Sequence, residues 1–422
     1  MKAPARPERI VGIDICRSAA IIAAMASHAM VASGAFIHNP SDKVTVLRFF
    51  FQMAPPIFIG LFGAMIEIAY RPKFEKGDSE RGIQQLLSRA LQCYLLYALC
   101  MVFSALNGDF SAGYALRCLL LMGVTPFVDI LKFYAVVLVL APLFITLSLK
   151  ARHGLLMLVL ASVVIHLSHP YLMRLPPLPQ VFGDDYLSFP AGFLYGGAAG
   201  PGGPSVLHGV GFVFLGMFLG RMAPRLLGQD HGVRTRARLA MAGIVILTGL
   251  ITALMWNWRV PFQTVAAIAD LSLRNDNHPL YFSFGGFVVT LVTWAALEIY
   301  DRLGFRLGRG LTFMSSTSLF TFSFGNLFLL AAPQLKVGPF GSVIYASALL
   351  SLVLLLSWSF KRILSVGLAD ERAGKRTLWA RLYAVQSMIV RSLGRAASGP
   401  AHAYALVLSP RHPGPIERSL HR

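Results

Sequence analysis

Arg9-Ile-Val-Gly-Ile-Asp14-Ile-Cys-Arg17 runs without a break into Ser18-Ala-Ala-Ile-Ile-Ala-Ala-Met-Ala-Ser-His28. The stretch reads as a membrane-spanning helix from near residue 10 to Ser33-Gly34, with three ionisable side chains inside it. Arg17 and His28 are eleven positions apart. That is roughly 1100° of rotation at about 100° per residue, so both lie within about 20° of one face and about 16 Å apart along the axis. Asp14 precedes Arg17 by one turn and can pair with it. Ionisable groups in a span turn toward the bundle interior or a wet cavity, because exposure to lipid is expensive. An acid, a guanidinium and an imidazole along one inner face therefore make a candidate site. The plainer reading is a packed Asp14–Arg17 pair near the interface and a histidine bonded to a neighbouring helix.

The rest of the chain extends the same logic. Of its 422 residues 55% are hydrophobic and only 14% are charged, with a mean hydropathy of +0.62. A soluble domain carries about 25% charged residues. The fold class is therefore all-α: a polytopic membrane protein, a bundle of about ten transmembrane helices. The net charge of +19 would suggest nucleic acid in a soluble protein, but here the bases gather beside the apolar blocks, where anionic lipid is the partner. Cysteines 16, 93, 100 and 118 show neither a disulfide pattern nor paired metal-ligand spacing.

Further spans fall at residues 48–70, 90–106, 129–150, 154–167, 205–220, 239–258, 280–300, 311–332 and 340–360. The second contains the break Pro55-Pro56 and the small residues Gly60 and Gly63, which permit close helix approach. Residues 115–124 are apolar but too short to cross, and read as a re-entrant or interfacial helix. A Pro- and Gly-rich loop with Asp184 and Asp185 reaches Pro204. With a cytoplasmic N-terminus, ten spans put the bases of residues 71–81, 150–152, 221–238, 302–309 and the tail inside. Both termini are then cytoplasmic, in a multi-pass protein of the plasma or bacterial inner membrane. Residues 1–9 form a short cytoplasmic N-terminus, residues 10–360 the membrane domain, and residues 361–422 a basic tail. That tail is amphipathic around residues 378–390 and then disordered, with no partner readable from its sequence.

The opening helix, with an arginine and a histidine separated by ten residues, resembles the membrane acyltransferases of the OpgC-like and acyltransferase-three superfamily. Asp14 stands where OpgC-like proteins have the aspartate of Asp-x-x-Arg-Gly, with Ser18 in place of the glycine. The resemblance continues through Leu47-Arg-Phe-Phe, Leu87-Ser-Arg89-Ala-Leu-Gln-Cys-Tyr94-Leu-Leu-Tyr97, Asp129-Ile-Leu-Lys-Phe-Tyr134 and Ser318-Leu-Phe-Thr-Phe-Ser-Phe, over roughly residues 9–360. The chain departs from the pattern at Ala54-Pro-Pro, where a Ser-Gly pair is usual, and at Gly325-Asn326, where a histidine is usual. The resemblance implies an O-acyltransferase. It would move an acetyl- or succinyl-type group from cytoplasmic acyl-CoA, a co-substrate, to a hydroxyl of an extracytoplasmic glycan.

Such chemistry needs a base for the acceptor, polarisation of the carbonyl and a seat for the anionic donor. His28, past the midplane, suits the base. Arg17, nearer the inner side, suits a phosphate or carboxylate. Asp14 either holds Arg17 or is a favourable charge at a helix N-terminus. Arg89 either seats a nucleotide phosphate or anchors its helix. Asp129 either bonds a sugar hydroxyl, orients His28, or caps its helix. Glu67 needs a partner, for which Arg71 is one turn away. His166, His169 and His208 lie at outer ends, and no carboxylate or cysteine clusters with them, so no metal is assigned. Two other classes compete with an enzyme: a transporter or flippase for a lipid-linked or anionic sugar, and a non-catalytic membrane subunit.

Overall fold

The computed structural model describes residues 9–123, 125, 127–151, 153–176, 178–180, 187–196 and 204–408. Asp184, Asp185, Arg152 and the glycine cluster before Pro204 lie outside the described residues. The chain is an all-α polytopic membrane protein. Among the described residues eight helices are long and apolar enough to cross a bilayer, or nine with the bent pair taken as one span, and the shorter apolar helix Gly154–Leu167 stands at the fifth expected span.

The first helix, α1, is Val11–Ala32. Its free N-terminal amides need acceptors, and Asp301 supplies both: Val11 N–H and Gly12 N–H each donate to it at 2.7 Å. The second crossing is two helices, α2 (Asp42–Phe51) and α3 (Ala54–Ala69). They separate where the sequence places the break, because Pro55 and Pro56 start a helix well but cannot continue one. There follow α4 (Ser79–Leu106), the short α5 (Ala112–Leu119), α6 (Asp129–Lys150) and α7 (Gly154–Leu167). At eight residues α5 is about 12 Å long, far less than a bilayer core of about 30 Å.

Next come α8 (Val206–Leu227), α9 (His231–Met255) and α10 (Pro279–Ala296). The small residues of α3 and α8 do what their size allows. A side chain at Gly63 would strike the Val213 backbone, and one at Gly216 the Gly60 carbonyl. Backbones this close rely on van der Waals packing, the main attraction between helices in lipid. Glu67 is buried at this seam and pairs with Arg71 at 2.8 Å and Arg221 at 2.6 Å. Arg221 thus lies inside α8 and turns inward, although its sequence neighbours read as a basic loop. Opposite, α9 exposes Ile246 (68%) and Leu254 (76%), a face only lipid tails would cover.

The ninth crossing differs from the single helix expected. It is α11 (Phe313–Ser316) and α12 (Ser318–Leu330), bent by 84°. Ser316 Oγ and Thr317 Oγ1 both donate to the Phe313 carbonyl, at 2.6 and 3.2 Å, competing with the backbone ladder where the helix breaks. The last crossing, α13 (Pro339–Arg372), runs twelve residues beyond the expected end at Phe360. Two tail helices follow, α14 (Leu378–Ala396) and α15 (Ser398–Leu408). The second occupies a stretch whose composition reads as disordered.

Candidate functional site

α1 and the bent pair lie side by side and in register. Ser315 Oγ donates to Asp14 Oδ1 at 2.5 Å, Arg17 Nη2 donates to Ser318 Oγ at 2.8 Å, and His28 Nδ1 meets Asn326 Oδ1 at 2.7 Å. Ser18, which replaces the motif glycine, accepts the Ser315 N–H at 3.1 Å. Asp14 makes no direct ion pair with Arg17 among the described residues, although it lies within electrostatic reach of the guanidinium. Its ion pair is with Arg9, which precedes it on the same side of the helix start. The positive charge of Arg17 is therefore bonded to a neutral hydroxyl and not to a carboxylate.

The environment of His28 fixes its chemistry. Asn326 Nδ2 donates to the Phe127 carbonyl at 3.2 Å, which turns the amide oxygen toward the ring. An amide oxygen only accepts, so Nδ1 carries the proton and Nε2 presents its lone pair. Nε2 has no hydrogen-bond partner among the described residues. Phe127 and Phe322 flank the ring, with centroids at 4.7 and 5.9 Å. Phe127 holds a φ of +64°, in the left-handed region that an aromatic residue adopts only where its surroundings impose it. Arg274, in the short helix Ser272–Asn275, is within electrostatic reach of the ring. Its Nε is buried without a hydrogen-bond partner among the described residues. Asp129 does not orient His28: it accepts from Thr125 at 2.5 Å and pairs with the buried Lys132 at 3.3 Å. That task falls to Asn326, at the very position where the sequence departs from the acyltransferase-three pattern.

Arg89 lies ten residues into α4, not at its start. It is within electrostatic reach of Arg17, as is Tyr134. Arg89 Nη1 donates to Gln92 Oε1 at 2.8 Å. These two residues, with Tyr70 and Ser88, line one wall of a cavity of about 810 Å³, a volume typical of small-molecule sites.

Residues 9–261 match the family "Heparan-alpha-glucosaminide N-acetyltransferase, catalytic", over more than half of the chain. The chain belongs to that family. The family is related to the acyltransferase-three and OpgC-like superfamily of membrane acyltransferases. No individual curated protein matches the chain. The match to this N-acetyltransferase family contains Asp14, Arg17, His28, Arg89 and Asp129, whereas Ser315, Ser318, Asn326 and Arg274 lie beyond its end.

Ser318 falls within the resemblance and Asn326 marks a departure from it, but the sequence alone assigns a site role to none of the four. Ser318 and Asn326 are unremarkable as types in an apolar helix, and only the alignment of α12 on α1 gives them a role. Arg274 had a faint signal, as a base beside the polar run Asn275-Asp276-Asn277 in a loop otherwise poor in bases.

His166, His169, His208 and His278 form a group of their own. His208 is 5.4 Å from His166 and 5.8 Å from His169 between ring centroids, and His278 joins at 6.1 Å from His169. Burial lowers the pKa of His169 and His278, which Asp276 opposes in both. Among the described residues no group of three or more His, Cys, Asp or Glu is arranged to hold a metal.

Proposed function

We propose that this family member transfers an acyl group from acyl-CoA, held at the Arg17–Arg89 end, to a hydroxyl or amine of a sugar-containing acceptor at the His28 end. The body formed by residues 10–360 carries out the reaction, with both termini on the cytoplasmic side and the acceptor outside. The family name describes an N-acetyltransferase acting on a glucosaminide, so an amine joins the hydroxyl suggested by the OpgC-like resemblance. Membership of a catalytic acyltransferase family favours this reading over a transporter or a non-catalytic subunit.

The observation that carries it is the clamp on His28. Asn326, held by the Phe127 carbonyl, leaves Nε2 as a base without a hydrogen-bond partner among the described residues. In the proposed step Nε2 takes the proton of the acceptor O–H or N–H as its heavy atom attacks the thioester carbonyl. The resulting oxyanion gains from the positive field of Arg274. It collapses with cleavage of the C–S bond, and the thiolate leaves with the proton returned from the ring. Arg17, whose hydrogen-bond partner among the described residues is the Ser318 hydroxyl, keeps its charge for an anionic donor.

The test is transfer from labelled acetyl-CoA to a glucosamine-containing oligosaccharide by purified protein. His28→Ala is expected to lose on the order of 100- to 10,000-fold in rate at an unchanged level of folded protein. Parent-like activity in that variant would remove His28 from the chemistry.

A further inference from the structure

The cavity beside Arg89 has a second wall, and that wall comes from the tail. α14 contributes Met388, Val390, Arg391, Gly394 and Arg395. The family match ends at residue 261, so this wall is an addition to the family segment.

The tail is fastened where it lies. Gly374 turns the chain at a φ of +69°, the left-handed conformation that glycine adopts freely. Thr377 then caps α14, its hydroxyl accepting the Ala380 N–H at 3.2 Å and donating to Asp370 at 2.7 Å. A side chain at Gly367 would meet the Trp379 carbonyl, so α13 and α14 are in backbone contact. Gln84 Nε2 donates to the Gly394 carbonyl at 2.9 Å, tying α14 to α4. Beyond it, His402 meets Glu80 at 3.2 Å and Lys150 donates to the Leu408 carbonyl at 3.1 Å.

Three guanidiniums, those of Arg89, Arg391 and Arg395, thus line one space, and among the described residues no carboxylate lines it. Among the described residues the two tail arginines bond to serine side chains and a backbone carbonyl of their own helix, at 3.3 Å. Like charges gathered without counter-ions are unfavourable unless an anion joins them, and arginine forks fit phosphate.

We propose that α14 completes a polyphosphate site, in which Arg391 and Arg395 face Arg89 across the phosphates of a coenzyme A-type nucleotide. This rests on the acyl-CoA reading above. The tail is then a functional wall of the donor site, which the family segment alone leaves open on that side. An anionic lipid headgroup presents the same phosphate chemistry, and the test separates the two.

The experiment is calorimetric binding of coenzyme A, and of adenosine 3′,5′-bisphosphate, to the full-length protein in nanodiscs of neutral lipid. Arg391→Gln/Arg395→Gln is expected to weaken both at least tenfold, and the double Lys variant to recover part of the loss. Arg381→Gln, on the same helix but outside the cavity, is expected to change neither. Parent-like affinity in the double Gln variant, with the parent binding and transferring normally, overturns the role of the tail and leaves the acyltransferase reading intact. No coenzyme A binding by the parent overturns both readings. Loss of nucleotide binding when the nanodiscs contain phosphatidylglycerol, with that loss absent in the double variant, assigns the cavity to lipid and overturns the nucleotide proposal.

Discussion

α1 and the bent pair α11–α12 face each other along the candidate site and are built from opposite kinds of residue. α1 carries an acid, a guanidinium and an imidazole, while residues 313–330 contain no charged side chain at all. Each ionisable group of α1 is nonetheless answered across the seam, by Ser315, Ser318 or Asn326. The difference teaches how a membrane protein keeps a charge usable. A carboxylate partner would satisfy Arg17 and also cancel it, whereas a hydroxyl satisfies one N–H and leaves the charge for a ligand. The imidazole follows the same rule. A carboxylate on Nδ1 would hold the ring as an ion pair, whereas the Asn326 amide fixes its tautomer and adds no charge.

That contrast can be broken by changing the neutral side alone. The largest effect is expected at Asn326. Asn326→Leu fills the space but frees Nδ1 and the Phe127 carbonyl, so the base loses its orientation. The rate of transfer should fall about 10- to 100-fold, at the low end for a general base or below it, because His28 is still present. An unchanged rate would mean that the ring needs no positioning. A smaller effect is expected at Ser318, and it sharpens the comparison. Ser318→Asp should neutralise Arg17 and weaken acyl-CoA binding by about tenfold, the cost of roughly 1.4 kcal/mol. Ser318→Ala should change binding severalfold at most. Equal effects of the two variants would show that the hydroxyl acts by packing and not by leaving the charge free.

Much of the fold was legible because lipid imposes one rule on every span. Apolar blocks of the right length marked the crossings, Pro55-Pro56 marked a helix start, and Gly60 and Gly63 marked a close seam. Arg71, one turn from Glu67, is legible as its partner, whereas the second partner, Arg221, stands in a stretch whose charge density reads as a loop. The bend at Thr317 was hidden because its cause is a local competition among hydroxyls, which leaves hydropathy unchanged. At the site, the charged half could be read and the neutral half could not. Ionisable residues in a span announce their own cost, so Arg17 and His28 stood out. Serines and an asparagine cost little and stay silent until packing brings them to a partner. The spacing of Asp14 and Arg17 suggested a pair, but Arg9 and Ser315 claim the carboxylate instead.

In the proposed reaction one slot serves a donor at the Arg17 end and an acceptor at the His28 end. Sealed proteoliposomes test it most directly, with labelled acetyl-CoA added outside and a membrane-impermeant glucosamine oligosaccharide trapped inside. Neither reactant crosses lipid, so label reaches the trapped sugar only through the protein. Labelled sugar is expected in the lumen with the parent protein and none above background with His28→Ala. Label appearing only when donor and acceptor share one compartment, or equally with His28→Ala, would contradict it.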